Sequence, residues 1–106
     1  MIFEQYFGKN HLLVGDCLFN LGVSHKQVLM LVPAKEYFEM ALQIYIRGVG
    51  RNSMQTANSY QMLGKVNLLL QLYEEALSNL NSSLSIKQQL LKSNPCQEIT
   101  KLKLLI

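Results

Sequence analysis

Tryptophan is absent from this chain of 106 residues, and proline, cysteine and histidine occur twice each. With so little proline, long segments are free to run as helix, since proline removes an amide donor and clashes inside a helix. Cys17 and Cys96 lie far apart and fit no CxxC spacing, so the sequence encodes no zinc ribbon and favours free thiols in a reducing compartment. Cys17 reads as a small packed residue on a helix. His11 and His25 are well separated, and neither has a second ligand at metal spacing. No metal and no cofactor is expected.

Long apolar runs are lacking as well. Val28 to Val32 and Leu68 to Leu70 fall far short of the roughly 20 apolar residues that a membrane-spanning helix needs. The start, Met1 to Phe7, carries Glu4 and no basic residue, which argues against a secretory signal and for a cytoplasmic chain. Charged residues make up only 16% of the chain, yet a hydrophobic content of 49% indicates order rather than disorder. Net charge is +3, with Lys87, Lys92, Lys101 and Lys103 leaning toward the C-terminal end. These lysines are not interleaved with stacking aromatics, so they read as a solvated face and not as a nucleic-acid stripe.

The parts for catalysis are missing too. Glu74 and Glu75 are adjacent and point to different sides of a helix, so they form no acid/base couple. Asp16 and Cys17 have no general base in view, and no GxGxxG or P-loop spacing occurs. The chain is not expected to be an enzyme.

What the sequence does contain is an internal repeat. The shift that lays Ile2 on Ile44 also lays Ile44 on Ile86, Asn10 on Asn52 and Asn52 on Asn94. The same shift superposes Gly8 on Gly50, Leu21-Gly22 on Leu63-Gly64, Ala34 on Ala76 and Leu42 on Leu84. A fixed period of about 42 residues falls in the range of about 20 to 50 that signals a solenoid. Units of a solenoid pack on their neighbours and present long surfaces to other macromolecules.

Four helices follow from the pattern, with no strand. The first hairpin pairs about 12 to 28 with about 33 to 48, and the second about 53 to 70 with about 73 to 92. Pro33 suits the first turn of its helix, where a missing N–H costs little. Gly48 and Gly50 are expected to end that helix. Glu74 and Glu75 favour the positive end of the last one. Residues 2 to 7 look like the end of a preceding helix and 97 to 106 like the start of a third repeat. The expected organisation is therefore one array: 1–8 closing a repeat, 9–50 and 51–92 as full repeats, and 93–106 opening another. Either the chain is a piece of a longer array, the favoured reading, or it covers its end faces by self-association.

The residues at the repeated positions resemble a known family. Leu18-x2-Leu21-Gly22-x2-His25 followed by Ala34-x3-Phe38-x2-Ala41 is similar to the tetratricopeptide pattern, as is Tyr60-x2-Leu63-Gly64-x2-Asn67 followed by Ala76-x3-Leu80-x2-Ser83. The usual repeat is about 34 residues. The longer form here, with Gly8-Lys9-Asn10-His11 and Gly50-Arg51-Asn52-Ser53 as connectors, resembles the kinesin-light-chain type. The sequence departs from the pattern at His25 and Asn67, where an aromatic is usual, and at Ser83. The matched residues are expected to be core, with Leu21 and Leu63 buried at equivalent places.

The resemblance implies an all-α solenoid of helical hairpins whose first helices line a concave groove. On those helices the stripe expected to lie off the core is Asp16, Phe19, Asn20, Val23, Lys26 and Gln27. The second copy supplies Asn58, Gln61, Met62, Lys65, Leu68 and Leu69. Asn20 matches the Asn with which such families clamp a ligand backbone, its amide offering donor and acceptor together. Met62 stands at the equivalent place, so the clamp is not repeated. The apolar turns Leu29-Met30-Leu31 and Leu70-Gln71-Leu72 read either as repeat drift or as a second contact surface.

The expected function is protein–protein interaction, as a scaffold or adaptor binding a peptide, with acidic peptides favoured by the basic charge. Two alternatives stay open. An RNA-binding helical repeat would need the same polar pair in every repeat, and Asn20 against Met62 argues against it. A regulatory piece of a larger enzyme or signalling protein is the other.

Overall fold

The computed structural model describes residues 11–92, and the expectations for residues 1–8 and 93–106 lie outside them. Four helices follow one another: α1 His11–Gln27, α2 Leu31–Val49, α3 Met54–Leu69 and α4 Tyr73–Lys92. No strand occurs among the described residues. Each hairpin, α1 with α2 and α3 with α4, is closely packed, α2 lies against α3, and α1 touches α3 only sparsely. The result is an all-α stack of helical hairpins.

The two turns inside the hairpins are built alike. Leu29 and Gln71, at equivalent places in the two repeats, take positive φ angles of 63° and 65°. At the first turn the Leu29 amide donates to the Lys26 carbonyl at 3.0 Å and the Met30 amide to the His25 carbonyl at 2.8 Å. At the second, the Gln71 amide donates to the Leu68 carbonyl at 3.0 Å and the Leu72 amide to the Asn67 carbonyl at 2.8 Å. This is the Schellman closure, a left-handed residue that satisfies the last carbonyls of a helix. Neither residue is the glycine that such a conformation favours.

The helix after the first turn starts earlier than expected. Its first bond runs from the Ala34 amide to the Met30 carbonyl at 3.1 Å, so Pro33 sits within the opening turn, where no donor is needed. Its end corrects a second expectation. Gly50, at φ 90°, donates to both Tyr45 and Ile46 carbonyls and closes the helix alone. Gly48 stays inside α2, where a Cβ would fall 2.7 Å from Leu12 Cδ2; it makes room for α1.

The connector to α3 is held by hydroxyls. Ser53 Oγ accepts from the Thr56 amide at 3.2 Å and donates to Thr56 Oγ1 at 2.8 Å, while Thr56 Oγ1 donates to the Gly50 carbonyl at 2.7 Å. Ser53 is thus the N-cap, satisfying a donor that the first turn leaves open. Thr56 is fully buried, its hydroxyl tying the start of α3 to the end of α2.

The core lies at the α2–α3 seam, where Ala34, Phe38 and Leu42 meet Leu63 and Val66. The recurrent Leu-Gly pairs serve close approach. A Cβ on Gly22 would sit 2.7 Å from Phe38 Cε1, and one on Gly64 would sit 2.6 Å from Leu80 Cδ2. Phe38 and Leu80 are themselves equivalent under the repeat, so the same contact is made twice with different partners.

Of the expected core, Leu63 is 3% exposed but Leu21 is 42% exposed. The Leu21 expectation is corrected. Leu63 has α2 packed on its outer side, whereas among the described residues Leu21 has no helix in the corresponding place. Cys17 is also exposed and not packed. It lies between exposed Asp16 and half-buried Leu18 on α1.

Candidate peptide-binding face

On α3, burial divides the helix lengthwise. Thr56, Ala57, Ser59, Leu63, Val66 and Asn67 are buried. Asn58 and Gln61 are half-buried and Lys65 is exposed, at the three- and four-residue spacing of one helix face. On α1, Asn20 is exposed and Lys26 is half-buried.

Other members of the expected stripe are engaged elsewhere. Phe19 packs edge-to-face on Phe38, with ring centroids 5.3 Å apart and planes at 68°. Val23 also packs against the core, as does Met62. Placing Phe19 and Val23 off the core is therefore corrected. They lie one turn apart where α1 meets the α2–α3 seam, and burying their apolar surface there is favourable.

Two polar members are held by second helices. Tyr45 on α2 donates its hydroxyl to Asp16 Oδ1. Burial first, and then the Asp16 carboxylate, push the Tyr45 hydroxyl well above the usual tyrosine range. Lys87 on α4 donates to Gln61 Oε1 at 2.8 Å, so this lysine is not merely solvated. The structure thus leaves Asn20, Gln27 and Lys65 as the exposed polar side chains of the stripe that no second helix holds, with Asn58 and Lys26 beside them at partial burial.

Where an aromatic is usual, His25 stacks obliquely on Tyr37, with centroids 5.0 Å apart, and its Nδ1 donates to the Leu21 carbonyl at 2.7 Å. Sequence reasoning marks Asn67 as a departure but misses its partner. Asn67 Nδ2 donates to Asn79 Oδ1 at 2.7 Å. The signal is present in the chain, since superposing the repeats lays Tyr37 on Asn79 just as it lays His25 on Asn67.

A family model described as tetratricopeptide repeat matches residues 31–89. That segment covers more than half of the 106 residues. This chain belongs to the tetratricopeptide repeat family. The match runs from α2 through most of α4 and agrees with the longer, kinesin-light-chain-like form of the repeat. Neither the curated proteins nor the solved structures yield a matching chain. Tetratricopeptide repeats generally mediate protein–protein interactions and are typically not enzymes. Among the described residues no three His, Cys, Asp or Glu side chains gather where they could hold a metal ion, and no helix is long and apolar enough to cross a membrane.

Proposed function

We propose that this chain is a scaffold or adaptor module that binds an extended peptide along the face formed by α1 and α3. The observation that carries the reading is the stripe Asn58, Gln61 and Lys65 on α3, half-buried at the first two and exposed at Lys65, on a helix whose opposite face is committed to the core. Asn20 on α1 adds an exposed amide that can pair with the N–H and C=O of a peptide backbone. Lys65 adds a positive charge, and the net charge of +3 favours an acidic or amide-rich sequence. Restricting contact to backbone and a few charges suits a partner that pairs its main chain with a rigid helical surface.

The test is calorimetric titration of the chain with a set of acidic peptides, using wild type and the Asn20→Ala/Lys65→Ala variant, with an RNA homopolymer as comparison. Each hydrogen bond to a backbone group contributes about 0.5–1.5 kcal/mol, and one to a charged group about 1.5–3 kcal/mol. Binding that weakens clearly in the variant, with helicity unchanged, supports the reading. Peptides that bind both proteins equally place the site elsewhere, with the apolar turns near Met30 and Leu72 next in line. RNA binding with a steep salt dependence and no peptide binding would favour the nucleic-acid alternative.

A further inference from the structure

The two hairpins differ in what fills the space beside the second half of the first helix. In the first hairpin it holds the rings of His25 and Tyr37. In the second, the corresponding Asn67 and Asn79 are two short amides. They occupy less volume, and a cleft of about 190 Å³ lies there between α2, α3 and α4. A water molecule takes up about 30 Å³ of liquid, so the cleft has room for the head group of a side chain.

The polar lining of this cleft is unbalanced. Asn67 is 2% exposed, and its Oδ1 has no hydrogen-bond partner among the described residues. A buried acceptor without a donor bears a desolvation cost that an incoming donor removes. Lys35 Nζ lies 3.0 Å from Glu75 Oε2, so these two charges offset each other. Glu39 lines the same cleft one turn along α2 and has no hydrogen bond or ion pair among the described residues. The lining therefore offers one uncompensated negative charge, and one of its residues carries an unsatisfied carbonyl.

A ligand that answers both must bring positive charge and several N–H donors into a partly buried space. A guanidinium does so with five donors in a plane, and it is more weakly hydrated than an ammonium. We infer that this cleft binds the guanidinium of an arginine side chain presented by a partner protein, with the Glu39 carboxylate and the Asn67 carbonyl accepting its N–H groups. Lys35, the one cation in the lining, is already paired, so the α-carboxylate of free arginine meets no counterpart here. The site shares no residue with the face along α1 and α3 and stands whether or not that face binds a peptide.

The experiment is NMR of the isotope-labelled full chain, titrated with N-acetyl-arginine amide, with N-acetyl-glutamate amide and with free arginine. Capped arginine is expected to shift the side-chain NH₂ signals of Asn67 and Asn79 saturably, with an affinity of about 1 mM for a single side chain. Capped glutamate should leave them in place, and free arginine should bind no more tightly than capped arginine. Glu39→Gln is expected to weaken the response about threefold to fivefold, as loss of one partly exposed ion pair does. Asn67→His/Asn79→Tyr, which installs the ring pair of the first hairpin, should abolish it. Absence of a saturable shift in the wild type would overturn the proposal. So would an equal response to glutamate, or tighter binding of free arginine. Should the double variant fail to fold, Glu39→Gln decides, and an affinity unchanged by it overturns the proposal.

Discussion

Asn67 and Asn79 join α3 to α4 by a 2.7 Å side-chain hydrogen bond, at positions that in the preceding repeat hold the stacked rings of His25 and Tyr37. The repeat thus keeps a cross-helix contact while changing its chemistry from ring packing to an amide pair. An amide pair inside a protein stabilises only while both members remain, because a lone buried amide keeps its desolvation cost.

Asn79→Ala is accordingly expected to destabilise the chain by about 1–3 kcal/mol, since it strands the buried Asn67 amide entirely. The Asn67→Ala/Asn79→Ala variant should lose less than the sum of the two single changes, with a coupling of about 0.5–1.5 kcal/mol. Urea denaturation of the four proteins in the cycle measures it. Strict additivity would mean that the bond contributes nothing.

The two close-approach glycines should respond differently to the same substitution. Alanine gains about 1 kcal/mol over glycine in a helix interior. At Gly22 the new Cβ meets the ring of Phe38, which is fully buried and cannot move aside. Overpacking of about 1–3 kcal/mol should outweigh the helix gain there. At Gly64 it would fall 2.6 Å from both Cγ and Cδ2 of Leu80, but Leu80 is half-buried and can turn away, so Gly64→Ala should cost less than Gly22→Ala. Lys65→Ala, on the exposed face, should change stability by less than about 0.5 kcal/mol. Thermal melts that rank Gly64→Ala below Gly22→Ala would contradict this ordering.

Leu29 and Gln71 hold left-handed conformations that cost a side-chain-bearing residue about 1–2 kcal/mol. Leu29→Gly and Gln71→Gly remove that strain and return part of it through a looser unfolded chain, about 0.4–1 kcal/mol. Each is expected to stabilise by up to about 1 kcal/mol. Leu29 is 70% exposed, so its removal sacrifices little packing. Calorimetry showing a lower melting temperature for both variants would mean that the turns are not strained.

Tyr45 makes stability sensitive to alkali. Its hydroxyl loses the proton at higher pH in the folded chain than in the unfolded one, because of burial and its bond to Asp16. The contribution is fully present below the ordinary tyrosine value of about 10. It is lost as pH rises beyond that, where the unfolded state binds fewer protons. Tyr45→Phe should lower stability at neutral pH by about 0.5–1.5 kcal/mol and flatten the fall above about pH 10. A variant whose alkaline profile matches the wild type would show that the Asp16–Tyr45 bond does not hold in solution.

The offset between the two repeats already contains the helical class, the hairpin order and the roles of Gly22, Gly64, Ala34 and Ala76. Such features rest on local periodicity and on the small volume that close helix contact demands, and both are written in residue type and spacing. Exposure of Leu21 beside burial of Leu63 is a different matter. It depends on whether a neighbouring helix covers each residue, which two identical Leu-Gly pairs cannot express. The same holds for Phe19 and Val23, which read as part of an open face until they are seen packed against the core that α2 and α3 form. The cleft beside Asn67 needed three helices placed together, because the pairing of Asn67 with Asn79 and of Lys35 with Glu75 is set by packing between elements. Spacing along one chain determines which side chains share a helix face. Only the tertiary arrangement decides which charges are cancelled, and which carbonyl is left without a donor.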